Sequence, residues 1–184
     1  MSPAPAEQSP RLRLRRITRQ DTDRFHAWTA RPEASRYQAW GPNTREDAEE
    51  FVATALSVWE EPEQSRFIWG VAAGTDDLLL GIGELSLVSR TTAEIGYNVH
   101  VDLWGRGIGT GIGQLLVDEA FGRFPAVERV QATCDPRNIG SRTILQRLGM
   151  TYEGRLRRTM LVEDGWRDSD MFSILRPEHA AVRA

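Results

Sequence analysis

"LWGRGIGTGIGQLLVDEAF", residues Leu103 to Phe121, decides how this chain is read. Glycine fills every second position from Gly105 to Gly113, and an apolar helical pattern follows through Ile112, Leu115, Leu116, Ala120 and Phe121. A glycine costs about 1 kcal/mol relative to alanine inside a helix, so five of them at a helix start need a physical reason. The Walker phosphate loop is excluded because no lysine lies nearby. The dinucleotide fingerprint is excluded because the glycines repeat every two residues and follow hairpin-like strands. What remains is a loop whose main-chain N–H groups turn toward one anion at a helix N-terminus, with a loose hinge as the other reading. Gly107, Gly109 and Gly111 would let the backbone touch a pyrophosphate, and Arg106 adds a fixed positive charge.

Outward from this stretch, patterning orders the rest. Before it, "RLRLRRI" (11–17) reads as a strand and "TRQDTDRFHAWTA" (18–30) as a helix. A segment that is irregular or a short helix, broken by Pro32 and Gly41-Pro42, comes next. Thr44 and Asp47 resemble a capping box that opens a helix carrying Phe51, Val52, Ala55, Leu56 and Trp59. Strands are expected at 66–73, 78–88 and 92–101, the first two joined as a hairpin by "GTDD". After the glycine helix come a strand at 127–134, a helix at 138–149 and two strands, 150–162 and 166–175, joined by the turn "EDG". The order is β-α-α-β-β-β-α-β-α-β-β. Residues 1–10, rich in Pro, Ala and Ser, read as a disordered tail, 11–176 as one domain and 177–184 as a second tail.

Composition removes several classes of function. A net charge of −3 gives no field for nucleic acid, and the arginines at 11–16 and 155–158 alternate with leucine like the polar face of a strand. Cys134 is the sole cysteine, so no internal disulfide forms, and no Cys/His spacing suggests a metal. The first ten residues lack the basic and apolar regions of a secretory signal. No run of about 18 apolar residues could span a membrane. The expected location is cytoplasmic.

"EIGYNVHVDLWGRGIGTGIGQLL" resembles the acetyl-CoA-binding motif of the GNAT superfamily of N-acetyltransferases, with its core at Arg106-Gly-Ile-Gly109-Thr-Gly111. "DPRNIGSRTILQRLGMTYEGRLRR" and "DGWRDSDMFSIL" resemble the branch that contains the ribosomal-protein alanine N-acetyltransferases. The resemblance implies an α/β fold with a mixed, mostly antiparallel sheet of about seven strands and about four flanking helices. It also implies a splay between strands four and five, opened by a bulge in strand four. Acetyl-CoA would be the donor, with no metal. The main chain of Tyr97, Asn98 and Val99 would hold pantetheine like an added strand. Gly105, Arg106, Gly107, Ile108, Gly109 and Thr110 would cradle the pyrophosphate, joined by Gly111. Asn138 matches a cofactor-contacting asparagine and equally suits an ordinary N-cap.

Amine acetylation needs a base, because an alkyl ammonium is only about 0.1% free amine at neutral pH. Glu94 matches the strand-four glutamate that serves as base in some members, and Glu84 is the second candidate; an exposed strand carboxylate is the other reading of Glu94. The Val99 N–H is the candidate oxyanion donor. Many members carry an acidic tyrosine where this chain has Leu145, which leaves Ser141 to assist the departing thiolate or simply to pack as a small helix residue. Cys134 is expected to be buried and without a role, and His100 to sit at a solvated strand end. Tyr37, Trp40 and Trp166 are candidates for an aromatic wall around the acceptor. That acceptor would be a small-molecule amine, an antibiotic among them, or a protein N-terminal α-amine. The protein would be a monomer or homodimer. A non-catalytic acyl-CoA-binding module is the alternative reading.

Overall fold

Alternation along β2 (Arg66–Ala73) sends its side chains into two cores. Phe67, Trp69 and Val71 pack on one face with α4 (Ile108–Arg123), and Ile68 packs on the other with α1 (Thr22–Thr29) and α3 (Arg45–Ser57). A sheet buried on both faces therefore forms the middle layer. The computed structural model describes residues 11–162 and 165–183; segment 1–10 and Glu163-Asp164 of the expected "EDG" turn lie outside the described residues.

The seven strands run in the order β1-β2-β3-β4-β5-β7-β6. They comprise β1 (Leu12–Arg15), β2, β3 (Gly81–Ser89), β4 (Thr92–Val99), β5 (Arg129–Cys134), β6 (Thr151–Val162) and β7 (Gly165–Leu175). Neighbours are antiparallel except β4 and β5. The remaining helices are the single turn α2 (Pro32–Ser35), α5 (Ile139–Arg147) and α6 (Arg176–Arg183). The expected capping box forms: Thr44 Oγ1 accepts from Asp47 N–H at 3.2 Å, and the Asp47 carboxylate accepts from Thr44 N–H at 2.8 Å.

Three expectations need correction. The splay is present, but β4 has no bulge: its register against β3 is unbroken from Ala93 to Val99, and the irregularity lies between Leu87 and Ser89 of β3. The gap opens because β4 pairs with β5 only over Thr92–Glu94, after which Ala132–Cys134 pair with β7 alone. Whole strands diverge; no residue is inserted. Next, the segment after Leu175 is helix α6 rather than a tail. Arg176 anchors it by donating to the carbonyls of Phe121, Phe124 and Val127, and His179 lies 2.7 Å from Asp118 of α4. Third, His100 is buried, not solvated. It packs against Trp28 with ring centres 5.1 Å apart, and its Nδ1 accepts from Asp102 N–H.

Candidate active site

The loss of β5 at Ile95 leaves one edge of β4 open. His100 N–H donates to Leu80 O, and the antiparallel alternation continues that pairing through Asn98 and Gly96. The main-chain groups of Tyr97 and Val99 consequently turn away from β3, toward the gap. Val99 O is engaged by the indole N–H of Trp104 at 3.0 Å, a contact no local pattern signals, which leaves the Val99 N–H facing the gap.

At the end of this edge the chain makes a 3-10 turn (Val101–Leu103) and enters the glycine stretch. Gly105 and Gly107 have φ of 75° and 77°, a conformation that disfavours any side chain, and Gly107 is the N-cap of α4. The first helical bond of α4 runs from Gly111 N–H to Gly107 O, so the N–H groups of Ile108, Gly109 and Thr110 have no helical partner. Gly111 therefore does not join the cradle through its N–H. Packing explains the later glycines. A Cβ on Gly109 would lie 2.6 Å from Ile144 of α5, on Gly111 2.6 Å from Leu12 of β1, and on Gly113 2.5 Å from Leu148.

A cavity of about 500 Å³ runs from this helix start along the open edge, bounded by Val99, Trp104, Gly109, Asn138 and Ser141. Asn138 is the N-cap of α5, its Oδ1 accepting from Ser141 N–H at 3.0 Å. The Ser141 hydroxyl lies 3.1 Å from the Tyr97 hydroxyl, which crosses the gap from β4. Burial pushes the Tyr97 phenol above the ordinary tyrosine range. Leu145 is fully buried in the core, so no helix phenol stands at that position.

On the opposite face a second cavity, about 630 Å³, lies between α3 and strands β3 and β4. Phe25, Trp40 and Phe51 supply aromatic surface, and Asp47, Glu50 and Glu84 supply carboxylates. The two cavities share Gln38, Tyr97 and Asn98. Glu84 is held by Arg66 at 2.6 Å. Glu94 sits at the fork where β4 leaves β5; its carboxylate accepts from Gln131 at 2.8 Å, and it lines neither cavity.

Residues 31–43 roof both cavities. Arg31 ties this roof to Asp102 at 2.6 Å, and buried Arg167 donates to the carbonyl of Tyr37. Tyr37 lies against the cavity at the helix start and Trp40 against the second one, whereas Trp166 is 59% exposed on the β6–β7 hairpin beside Leu161, apart from both. Of the three residues expected to wall the acceptor, only Trp40 lines that second cavity. Burial pushes the Cys134 thiol up to about 11, which favours the protonated thiol at neutral pH.

A helix start with unpartnered N–H groups, an open strand edge beside it and a second cavity across a splayed sheet are what an acyl-CoA-dependent acyltransferase needs to bring a donor and an acceptor together. The chain matches the acetyltransferase (GNAT) domain over residues 11–151 and belongs to that family, enzymes that take their acetyl group from acetyl-CoA. It is 34% identical to the probable N-acetyltransferase YjcK of Bacillus subtilis over 122 residues, 65% of this chain and 66% of that one. Among solved structures it resembles spermidine N-acetyltransferase from Vibrio cholerae, in complex with CoA and spermine (TM-score 0.75, 17% identity, 92% of this chain and 98% of that one). It also resembles RimL, a ribosomal L7/L12 α-N-protein acetyltransferase (TM-score 0.76, 17% identity, 89% and 90%). Among the described residues no helix is long and apolar enough to cross a membrane.

Proposed function

We propose that this acetyltransferase moves the acetyl group directly to a primary amine by general acid/base chemistry, without an acyl-enzyme. The junction of the two cavities at Gln38, Tyr97 and Asn98 carries the reading, because donor and acceptor can meet only where β4 has parted from β5. Acetyl-CoA, when bound, supplies an activated acyl carbon and a thiolate leaving group. The N–H groups of Gly107, Ile108, Gly109 and Thr110, with Gly105 and Arg106, suit its pyrophosphate. The open edge of Tyr97–Val99 suits pantetheine, with Asn138 beside it. The Val99 N–H, turned into the gap, suits an oxyanion, and the Ser141 hydroxyl, which lines the same cavity, suits a departing thiolate.

Glu84 is the base this arrangement favours over Glu94, because Glu84 lines the acceptor groove. It would act directly or through one water. A carboxylate near 4 and an ammonium near 10 are poorly matched, and a cleft that sheds water narrows the gap by favouring the neutral amine. Carboxylates and aromatic rings together suit a cationic amine with an apolar body. A small amine such as a polyamine or antibiotic, or a protein N-terminus, meets that description, and the resemblances to a spermidine acetyltransferase and to RimL accord with both. We read the protein as cytoplasmic, where acetyl-CoA is made, and as a monomer or homodimer.

The test is CoA release, followed by a thiol reagent, across a panel of primary amines and short peptides. Release with at least one is expected; release with none refutes the reading. Glu84→Gln should lower kcat/KM by ~10² to 10⁴ at neutral pH and recover partly as pH rises. Glu94→Gln should stay near wild type. The reverse pattern would return the role to Glu94.

A further inference from the structure

Ser141 by itself is a poor donor: an aliphatic hydroxyl rotates freely and its proton can point anywhere. Its surroundings restrict it. Asn138 caps the Ser141 amide, and the Tyr97 hydroxyl approaches Ser141 Oγ to 3.1 Å across the gap. Two acceptors stand within reach of the phenol, Ser141 Oγ at 3.1 Å and the Ser141 carbonyl at 3.5 Å, and the phenol is the stronger donor of the two hydroxyls, which favours its proton toward the nearer Ser141 Oγ. Ser141's own proton is then left to point into the donor cavity, whose lining includes both residues.

We propose that Tyr97 is the positioning residue that fixes Ser141 as hydrogen-bond donor to the departing CoA sulfur. This replaces a phenol on α5 with one reaching over from β4. When the carbon–sulfur bond breaks, its electron pair goes to sulfur, and Ser141 holds that charge by donation. Neither hydroxyl loses its proton; the ammonium sheds one proton to the base before attack and the adduct nitrogen a second as the adduct collapses, both passing to solvent. A phenol held neutral by burial suits this role, since it keeps donating where a phenolate would not. Cys134, Asp135 and Arg167 line the small cavity of about 140 Å³ that also touches Tyr97 and Ser141, so their charges bear on any titration there.

The inference rests on the proposed transfer, and one of its tests needs no acceptor. Bound CoA is titrated by the ultraviolet absorbance of its thiolate, with desulfo-CoA as the blank that removes Cys134 and the tyrosines. In Tyr97→Phe and in Ser141→Ala the bound thiol should titrate about one pH unit higher than in wild type, the loss expected for one hydrogen bond to a charged group. Turnover of either variant should fall ~10-fold or more with KM for acetyl-CoA within about twofold, and the double variant should be no worse than the poorer single. Tyr97→Phe with an unchanged thiol titration overturns the proposal, whatever its turnover. So does an effect of Tyr97→Phe that adds in full to that of Ser141→Ala. If no amine supports CoA release but the titration shifts as described, the transfer reading fails and the hydroxyl pair stands.

Discussion

His100 illustrates how a single residue depends on its shell. Burial, and then the nearby charge of Arg24, lower its pKa below the ordinary histidine value. The unfolded chain therefore binds the proton more readily. The stability from this group is complete above about 6.5 and declines as pH falls through the lower folded value. Melting curves between pH 7 and 5 should show Tm falling with pH, and His100→Asn should flatten part of that slope. An identical slope in the variant would mean that other groups govern it. Glu84 and Glu94 make a related point. They share one face of the sheet, yet Arg66 and the groove claim Glu84 whereas Gln131 claims Glu94.

At the scale of the element, α4 holds glycines for two different reasons. Gly107 needs its left-handed backbone, while Gly109, Gly111 and Gly113 let α5, β1 and Leu148 approach closely. Gly122, in the last turn of the same helix, is exposed and has nothing within 4 Å of where a Cβ would stand. Gly122→Ala should therefore raise stability by about 0.5–1 kcal/mol, the helix propensity difference. Gly113→Ala gains the same propensity but must push Leu148 aside in a filled core, so it should be neutral or destabilising by up to about 2 kcal/mol. Denaturant melts of the two variants decide the matter. Equal gains at both sites would mean that the core around Leu148 is slack. Phosphate approach and close helix packing leave the same letters in a sequence, because both ask for a missing side chain.

Across the whole molecule, the two cavities are joined by the roof at 31–43, which contributes Tyr37 and Gln38 to the one we read as the donor side and Gln38 and Trp40 to the one we read as the acceptor side. Arg167, on β7, holds that roof through the Tyr37 carbonyl, more than a hundred residues away in sequence. Arg167→Ala should release it and raise KM for acetyl-CoA and for the amine together, each by ~10-fold, given that ordering the roof then draws on binding energy. Steady-state kinetics with both substrates varied checks this. A rise confined to one substrate would show that Arg167 serves one cavity and does not hold the roof.

The sequence by itself determined the order of the strands, the main helices before Leu175 and the family, because those depend on local demands: period, caps and glycine spacing. Thr44 and Asp47 could be read as a cap from four adjacent letters, and they form one. Only the tertiary structure decided what faces what across the splay. Tyr97 and Ser141 are 44 positions apart, and their contact exists because β4 and β5 diverge after Glu94, a consequence of sheet pairing that no local pattern encodes. The same holds for the burial of His100 under Trp28, for Trp104 closing the Val99 carbonyl and for the placement of Glu84 in the groove. Local rules specify the backbone segment by segment. The chemistry of a cleft arises between segments, where packing sets distances to within an ångström.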